Sequence, residues 1–181
     1  MVSSQVRPLE SQAVSLQTQT HPWFAVMIRC GQAKSASKTL ERLGYEQFLP
    51  VQAVRRQWSD RVKVIDEPLF PGYLFCRFDP QDRLPILTAP GVISIVSFGK
   101  TLLPVDEGEV ETIRRLLGSR TRVSPHPYLK AGKRVRIERG ALAGVEGILV
   151  EVRNEYRVVA SITILQRSVA VEIDPVRLRL L

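Results

Sequence analysis

The feature that most constrains the fold is a change of sequence pattern near residue 120. Before it, apolar periods of two residues and of about four residues alternate, which is typical of strands and helices in one α+β unit. After it, short segments of alternating polarity are separated by Gly140, Gly144 and Gly147. Residues 119–129 contain two prolines and no periodicity, as linkers do. The sequence therefore predicts two domains and a flexible linker over 119–129.

Residues 22–118 are predicted to form a mostly antiparallel sheet with helices. The segments Trp23–Arg29 and Tyr73–Phe78 are apolar on both faces, so each predicted strand needs a cover on both sides. A helix is predicted after Asp106, which is followed by acidic residues that suit a helix N-terminus. An earlier helix is predicted over Ala33–Leu43, with an inner face made of Ala36, Leu40 and Leu43.

Two polar segments within residues 52–66 predict a hairpin that projects from the sheet or forms its edge. They are joined at Ser59 and Asp60 and carry few large apolar side chains apart from Trp58.

Residues 130–181 predict five short strands. So many strands in so short a segment favour a small closed barrel, because closure removes exposed strand edges. At the other end, residues 1–21 are rich in Ser, Gln and Thr and are predicted to be a disordered tail. No apolar run in the chain is long enough to cross a bilayer, so no membrane partner is expected.

The composition gives little sign of chemistry. The net charge is +8 and the pI is about 10.0, which fits either an anionic partner or an ordinary solvated basic surface. Cys30 and Cys76 are far apart, and no histidine stands at metal-ligand spacing from them. Free thiols fit a reducing cytoplasm. We predict no catalytic residue, no metal and no cofactor.

Two groups of residues are candidates for binding. Tyr73 and Phe75 share one strand face, with Met27 on a neighbouring strand and Phe70 just before them; they form either a protein-binding patch or a second core layer. The second group is a basic stripe, which either follows a phosphate backbone or is simply solvated. Its members are Arg29, Lys34, Lys38 and Arg42.

Several motifs occur in a familiar order. Trp23-Phe24-Ala25-Val26 opens the first domain, residues 68–75 read PLFPGYLF, and Pro90-Gly91-Val92 precedes a strand. The segments VRIERGALAGVEGILVEV and SVAVEIDPVRL follow the linker. Together they resemble the NusG family, and the middle string is similar to the specialised RfaH and UpxY paralogues. The resemblance covers residues 22–181 and implies a NusG N-terminal domain followed by a five-stranded, SH3-like KOW barrel over 130–181.

The resemblance implies a cytoplasmic, monomeric, non-enzymatic factor that binds the clamp helices of RNA polymerase and suppresses pausing or termination. It implies that the basic stripe contacts the non-template DNA strand, and that the KOW domain recruits Rho or a ribosomal protein through Leu142, Val145 and Leu165. An operon-specific paralogue, a housekeeping NusG and a ribosome- or RNA-associated KOW protein remain alternatives. The implied polymerase-binding residues are Met27, Phe70, Tyr73, Phe75 and Phe98.

Overall fold

The computed structural model describes residues 21–58, 60–119, 121–129, 132–152 and 155–181. The predicted tail lies outside the described residues except for His21, and so do Ser59 of the hairpin turn and Lys130 at the predicted start of the barrel. The described part combines antiparallel sheets with a few helices, which confirms the predicted α+β class. No helix within these ranges is long and apolar enough to span a membrane.

Strands and helices alternate in the first part of the chain, as its pattern predicts. In chain order they are β1 (Trp23–Ile28), α1 (Ala33–Arg42), β2 (Gln47–Phe48), β3 (Val51–Gln57), β4 (Val62–Pro68), β5 (Tyr73–Arg77), α2 (Leu84–Leu87), β6 (Val92–Ile95), β7 (Ser97–Phe98), β8 (Thr101–Leu102), β9 (Pro104–Val105) and α3 (Glu107–Gly118).

A five-stranded sheet lies at the centre of this part. Its hydrogen-bonded order is β2-β5-β1-β6, and β9 pairs with the beginning of β1. Every pairing in this sheet is antiparallel. The central strand β1 has the most continuous apolar sequence, because it is covered on both faces. Strands β3 and β4 form a separate two-stranded hairpin, and β7 and β8 form another.

One face of the central sheet packs against α1 and α2. Ala36 and Leu40 of α1 are buried there, as their spacing predicts. Leu43, the third predicted inner residue, is 52% exposed. The helix ends at Arg42, and the chain turns at Gly44, whose φ is +87°, so the periodicity no longer places Leu43 inward. The buried strand residues on this face are Phe24, Val26, Ile28, Leu74, Cys76 and Phe78.

The other face of the central sheet packs against α3. Asp106 caps this helix, because its Oδ1 accepts a hydrogen bond of 3.1 Å from the Glu109 amide. The sheet contributes Trp23, Ala25 and Phe75 to this second core layer. Its partners on α3 are Val110, Ile113 and Leu116.

A second, six-stranded antiparallel sheet follows, with the order β10-β14-β13-β12-β11-β15, and we refer to it as the C-terminal sheet. It contains the five predicted strands and a sixth, β10, within the predicted linker. That stretch is therefore not an unstructured connection over its whole length, because Val123 is buried and pairs with β14. The strands are β10 (Val123–His126), β11 (Lys133–Ile137), β12 (Glu146–Val152), β13 (Glu155–Ile162), β14 (Arg167–Glu172) and β15 (Leu178–Leu180), with 3-10 helices at Thr163–Leu165 and Pro175–Arg177.

The two sheets share one continuous apolar core. The buried cluster that begins with Trp23 and Phe75 on the central sheet runs through α3 into the C-terminal sheet, where it includes Val158, Val169 and other inward residues. Helix α3 lies against β13. The two parts of the chain therefore contact each other, a point that the sequence leaves open.

Candidate interaction surfaces

Three aromatic rings from separate segments meet on the α3 side of the central sheet. The rings of Phe70 and Phe75 are 5.9 Å apart in an edge-to-face arrangement, and those of Phe48 and Phe75 are 6.2 Å apart and stacked. Tyr73 packs against the same cluster. We refer to Phe48, Phe70, Tyr73 and Phe75 as the aromatic layer. Phe48 has no signal in the sequence, because it lies in a two-residue strand that is too short for any period.

The predicted polymerase-binding residues differ widely in exposure. Phe70 and Phe75 are 0% exposed, so in this arrangement of the chain they form a core layer, the second of the two predicted alternatives. The physical reason is that α3 and the C-terminal sheet complete the core over them. Met27 and Tyr73 are half-buried. Phe98 is 81% exposed, in the β7–β8 hairpin.

The C-terminal sheet contacts both Tyr73 and α3. The Arg167 guanidinium at the start of β14 lies 5.4 Å from the centre of the Tyr73 ring, within the range of a cation–π contact. The Glu109 carboxylate on α3 accepts hydrogen bonds from the Thr163 amide at 3.1 and 3.2 Å and from the Thr163 hydroxyl. Arg115 donates to the Ala143 carbonyl. No sequence period indicates these contacts, because each joins distant segments.

The predicted basic stripe is exposed along α1 and at the end of β1. Arg29, Lys34, Lys38 and Arg42 are all solvent-facing, which is compatible with either of its two interpretations. Lys34 also makes an ion pair of 2.6 Å with Asp66 of β4. The stripe is therefore joined to the β3–β4 hairpin, and the charge of Lys34 is partly neutralised.

The three predicted partner-binding residues of the second domain do not form one exposed surface. Leu142 and Val145 are buried, so their side chains are not accessible to a partner in this arrangement of the chain. They lie in the turn between β11 and β12, where the Gly144 amide donates to the Ile137 carbonyl and holds the turn against the core. Leu165 is half-buried and packs against the same core.

The two cysteines lie in different environments. Burial raises the pKa of the Cys76 thiol to about 12, so this cysteine stays protonated, and Cys30 is free and exposed. No group of three or more potential metal ligands occurs among the described residues.

Comparison with known proteins identifies the family. The family model described as transcription termination factor nusG matches residues 21–114, just over half of the chain. The Thermus thermophilus transcription termination/antitermination protein NusG is 27% identical over 173 residues, which cover 84% of this chain and 94% of that protein. The Helicobacter pylori protein of the same name is 24% identical over 164 residues, covering 83% and 93%.

A solved structure has the same fold over most of its length. It is Thermotoga maritima NusG, described as showing a domain interaction, with a TM-score of 0.53, 22% identity, and coverage of 87% of this chain and 96% of that one. Its sequence identity is too low to support more than the fold. The sequence relatives are transcription factors rather than enzymes. The protein belongs to the NusG family of transcription termination/antitermination factors.

Proposed function

We propose that this protein is an elongation or antitermination factor that binds the clamp helices of RNA polymerase through the aromatic layer, together with Met27 and Phe98. In this proposal residues 22–118 form the polymerase-binding domain, 119–129 the connection and 130–181 a KOW domain that recruits a partner. A pair of helices suits such a surface, because an amphipathic helix buries its apolar face in a groove lined by aromatic side chains.

The observation that carries the proposal is the contact between Arg167 and Tyr73, at 5.4 Å. A half-buried aromatic ring is covered there by a guanidinium, which is readily hydrated once it is released. The neighbouring contacts of Glu109 with Thr163 and of Arg115 with Ala143 are also polar, and they lie beside the apolar core that the two sheets share. Separation of the C-terminal sheet would give the clamp helices access to the aromatic layer.

The proposed mechanism uses binding energy and makes or breaks no bond. A factor that contacts the clamp and bridges to the opposite side of the nucleic-acid cleft favours the closed polymerase, because it binds that state more tightly than the paused one. Only molecules with an accessible aromatic layer can bind. The apparent dissociation constant is therefore the intrinsic one divided by the accessible fraction. Polymerase binding and separation of the two sheets are therefore coupled.

The test compares two tyrosines on opposite faces of the central sheet. Tyr73→Ala is expected to weaken binding of the full chain to core RNA polymerase by about 1 to 3 kcal/mol. Tyr45 is also half-buried but packs on the α1 side, so Tyr45→Ala is the matched control. Biolayer interferometry gives the affinities, and thermal unfolding gives the loss of stability. Equal polymerase affinity of the two variants at similar stability would contradict the proposal.

We also propose an operon-specific role rather than a housekeeping one, because the PLFPGYLF string at residues 68–75 resembles the specialised paralogues. Genome-wide occupancy in the native host tests this. Occupancy confined to a few transcription units supports the specialised role, and even occupancy of most transcribed genes supports the housekeeping one.

For the C-terminal sheet we retain recruitment of Rho or a ribosomal protein, through the surface around Leu165. The alternative, direct RNA binding by this sheet, is weakened by the ion pairs of Arg134 and Arg136 with Glu146, which occupy two of its cations. A salt titration of RNA binding by the full chain without polymerase separates the two. Tight binding that depends on Arg134 and Arg136 would favour the RNA-binding alternative.

A further inference from the structure

The β3–β4 hairpin is the part of the structure that the proposed function leaves without a role. Its two strands pair with each other from Val51 with Pro68 to Gln57 with Val62. A further hydrogen bond of 2.8 Å from the Trp58 amide to the Arg61 carbonyl continues the same register toward the tip. Most of its side chains are exposed, so the hairpin offers two accessible faces.

The register sorts the residues near the tip onto those two faces. Arg56 lies opposite Lys63, and Trp58 lies opposite Arg61 two positions further on. Since side chains at every second position share a face, these four lie together, and we call them the hairpin basic face. The opposite face near the tip carries Arg55, Gln57, Val62 and Val64.

The hairpin basic face combines an exposed aromatic ring with an excess of positive charge. Trp58 is 57% exposed, although a large apolar ring is normally covered. Like charges directly opposite each other in a strand pair are unfavourable, and the pair of Arg56 and Lys63 is one such case. Glu67 offsets Arg56 at 2.6 Å and Asp60 lies 4.0 Å from Arg61, but no carboxylate of the described residues pairs with Lys63.

We propose that the hairpin basic face binds an unpaired nucleic-acid strand, with a base stacked on Trp58 and the adjacent phosphates on Lys63, Arg61 and Arg56. Stacking on an exposed aromatic ring requires a base that is not already inside a duplex, and it tolerates any sequence because every base has a flat face. The flanking cations bind the backbone without reading its sequence. An acidic protein would account for the charges, but it would leave the exposed indole beside them unexplained.

The hairpin basic face is separate from the basic stripe on α1. The ion pair between Lys34 and Asp66 ties the base of the hairpin to α1, and Asp66 lies on the face opposite the hairpin basic face. The inference goes beyond the proposed polymerase contact and does not depend on it.

The test uses the full chain and no polymerase. Only two tryptophans occur in the sequence, and Trp23 is 1% exposed, so quenching of tryptophan fluorescence by a bound base reports on Trp58. Single-stranded DNA and RNA of about 12 nucleotides and a duplex of the same length are titrated at several salt concentrations. We expect quenching by the single strands and weaker binding of the duplex. The Trp58 variants lack the fluorescent reporter, so their affinities are measured by the anisotropy of a dye-labelled strand, and we expect a loss of about tenfold in Trp58→Ala. Trp58→Phe, which keeps a flat ring, should recover most of the affinity.

Two variants of equal charge provide the control. Lys63→Gln should reduce the dependence of log K on log salt by about 0.7. Arg55→Gln removes one charge at an adjacent position on the opposite face and should leave both the salt dependence and the quenching unchanged. The proposal is overturned if Trp58→Ala binds as tightly as the original protein, if the two charge variants behave alike, or if the single strands do not quench Trp58. Tyr73→Ala should bind the single strands normally, so a failure here is distinct from a failure of the proposed polymerase contact.

Discussion

The contact between Glu109 and Thr163 should control how often the aromatic layer is accessible. Glu109 accepts hydrogen bonds from both the amide and the hydroxyl of Thr163. A hydrogen bond to a charged group contributes about 1.5 to 3 kcal/mol, and the exposure of this pair places its net contribution near or below the lower end. We therefore expect Glu109→Ala to shift the equilibrium toward separated sheets by about 1 to 1.5 kcal/mol, or about 5- to 12-fold.

Separation can be measured by energy transfer between two dyes. Cys30 is exposed, and the buried Cys76 remains a protonated, unreactive thiol, so one dye attaches at Cys30. The second attaches at a cysteine introduced by Lys133→Cys, at an exposed position of the C-terminal sheet. Glu109→Ala should increase the low-transfer population, and the affinity for polymerase should rise in parallel until separation is no longer limiting.

The matched control is Glu111→Ala on the same helix. Glu111 pairs with Arg114 at 3.5 Å within α3, and both side chains are about half exposed, so its loss costs only about 0.2 to 0.5 kcal/mol. It should leave the energy transfer unchanged. If Glu109→Ala and Glu111→Ala give the same transfer distribution, or if Glu109→Ala weakens polymerase binding, then this contact does not govern access to the aromatic layer.

Two further predictions concern stability. Phe75→Ala should lower the free energy of unfolding in urea by about 3 to 5 kcal/mol, because it empties a buried core position. Phe98→Ala, at an exposed position, should change it by less than about 0.5 kcal/mol. Equal effects of the two substitutions would show that Phe75 is not a core residue. Hydrogen bonding to Arg136 holds the pKa of the Glu146 carboxyl below its ordinary range. The stabilisation is therefore complete above the ordinary carboxyl pKa and is lost as the pH falls through the lowered value, so Glu146→Gln should lower Tm at neutral pH and have no effect in stronger acid.

The sequence alone determined most of the local structure and the family. The spacing of apolar residues predicts α1, α3, β1 and β5 with nearly the observed bounds, because a period reports which side of an element is apolar. Alternation likewise predicts the β3–β4 hairpin, and the motifs between Trp23 and Val92 led to the NusG family, which the family model confirms. A cap such as Asp106 is readable for the same reason, since its partner Glu109 is only three residues away.

Only the tertiary structure decided what covers each apolar face. The sequence could not choose between an open patch and a second core layer at Phe75, because the residues that bury it, from α3 and the C-terminal sheet, are distant in the chain. The same holds for Leu142 and Val145, which a family pattern suggests as contacts and the fold uses as core. The face shared by Trp58 and Lys63 likewise follows from strand register, and the contact of Arg167 with Tyr73 joins the two sheets. Periodicity describes one element at a time, whereas burial depends on which other element packs against it.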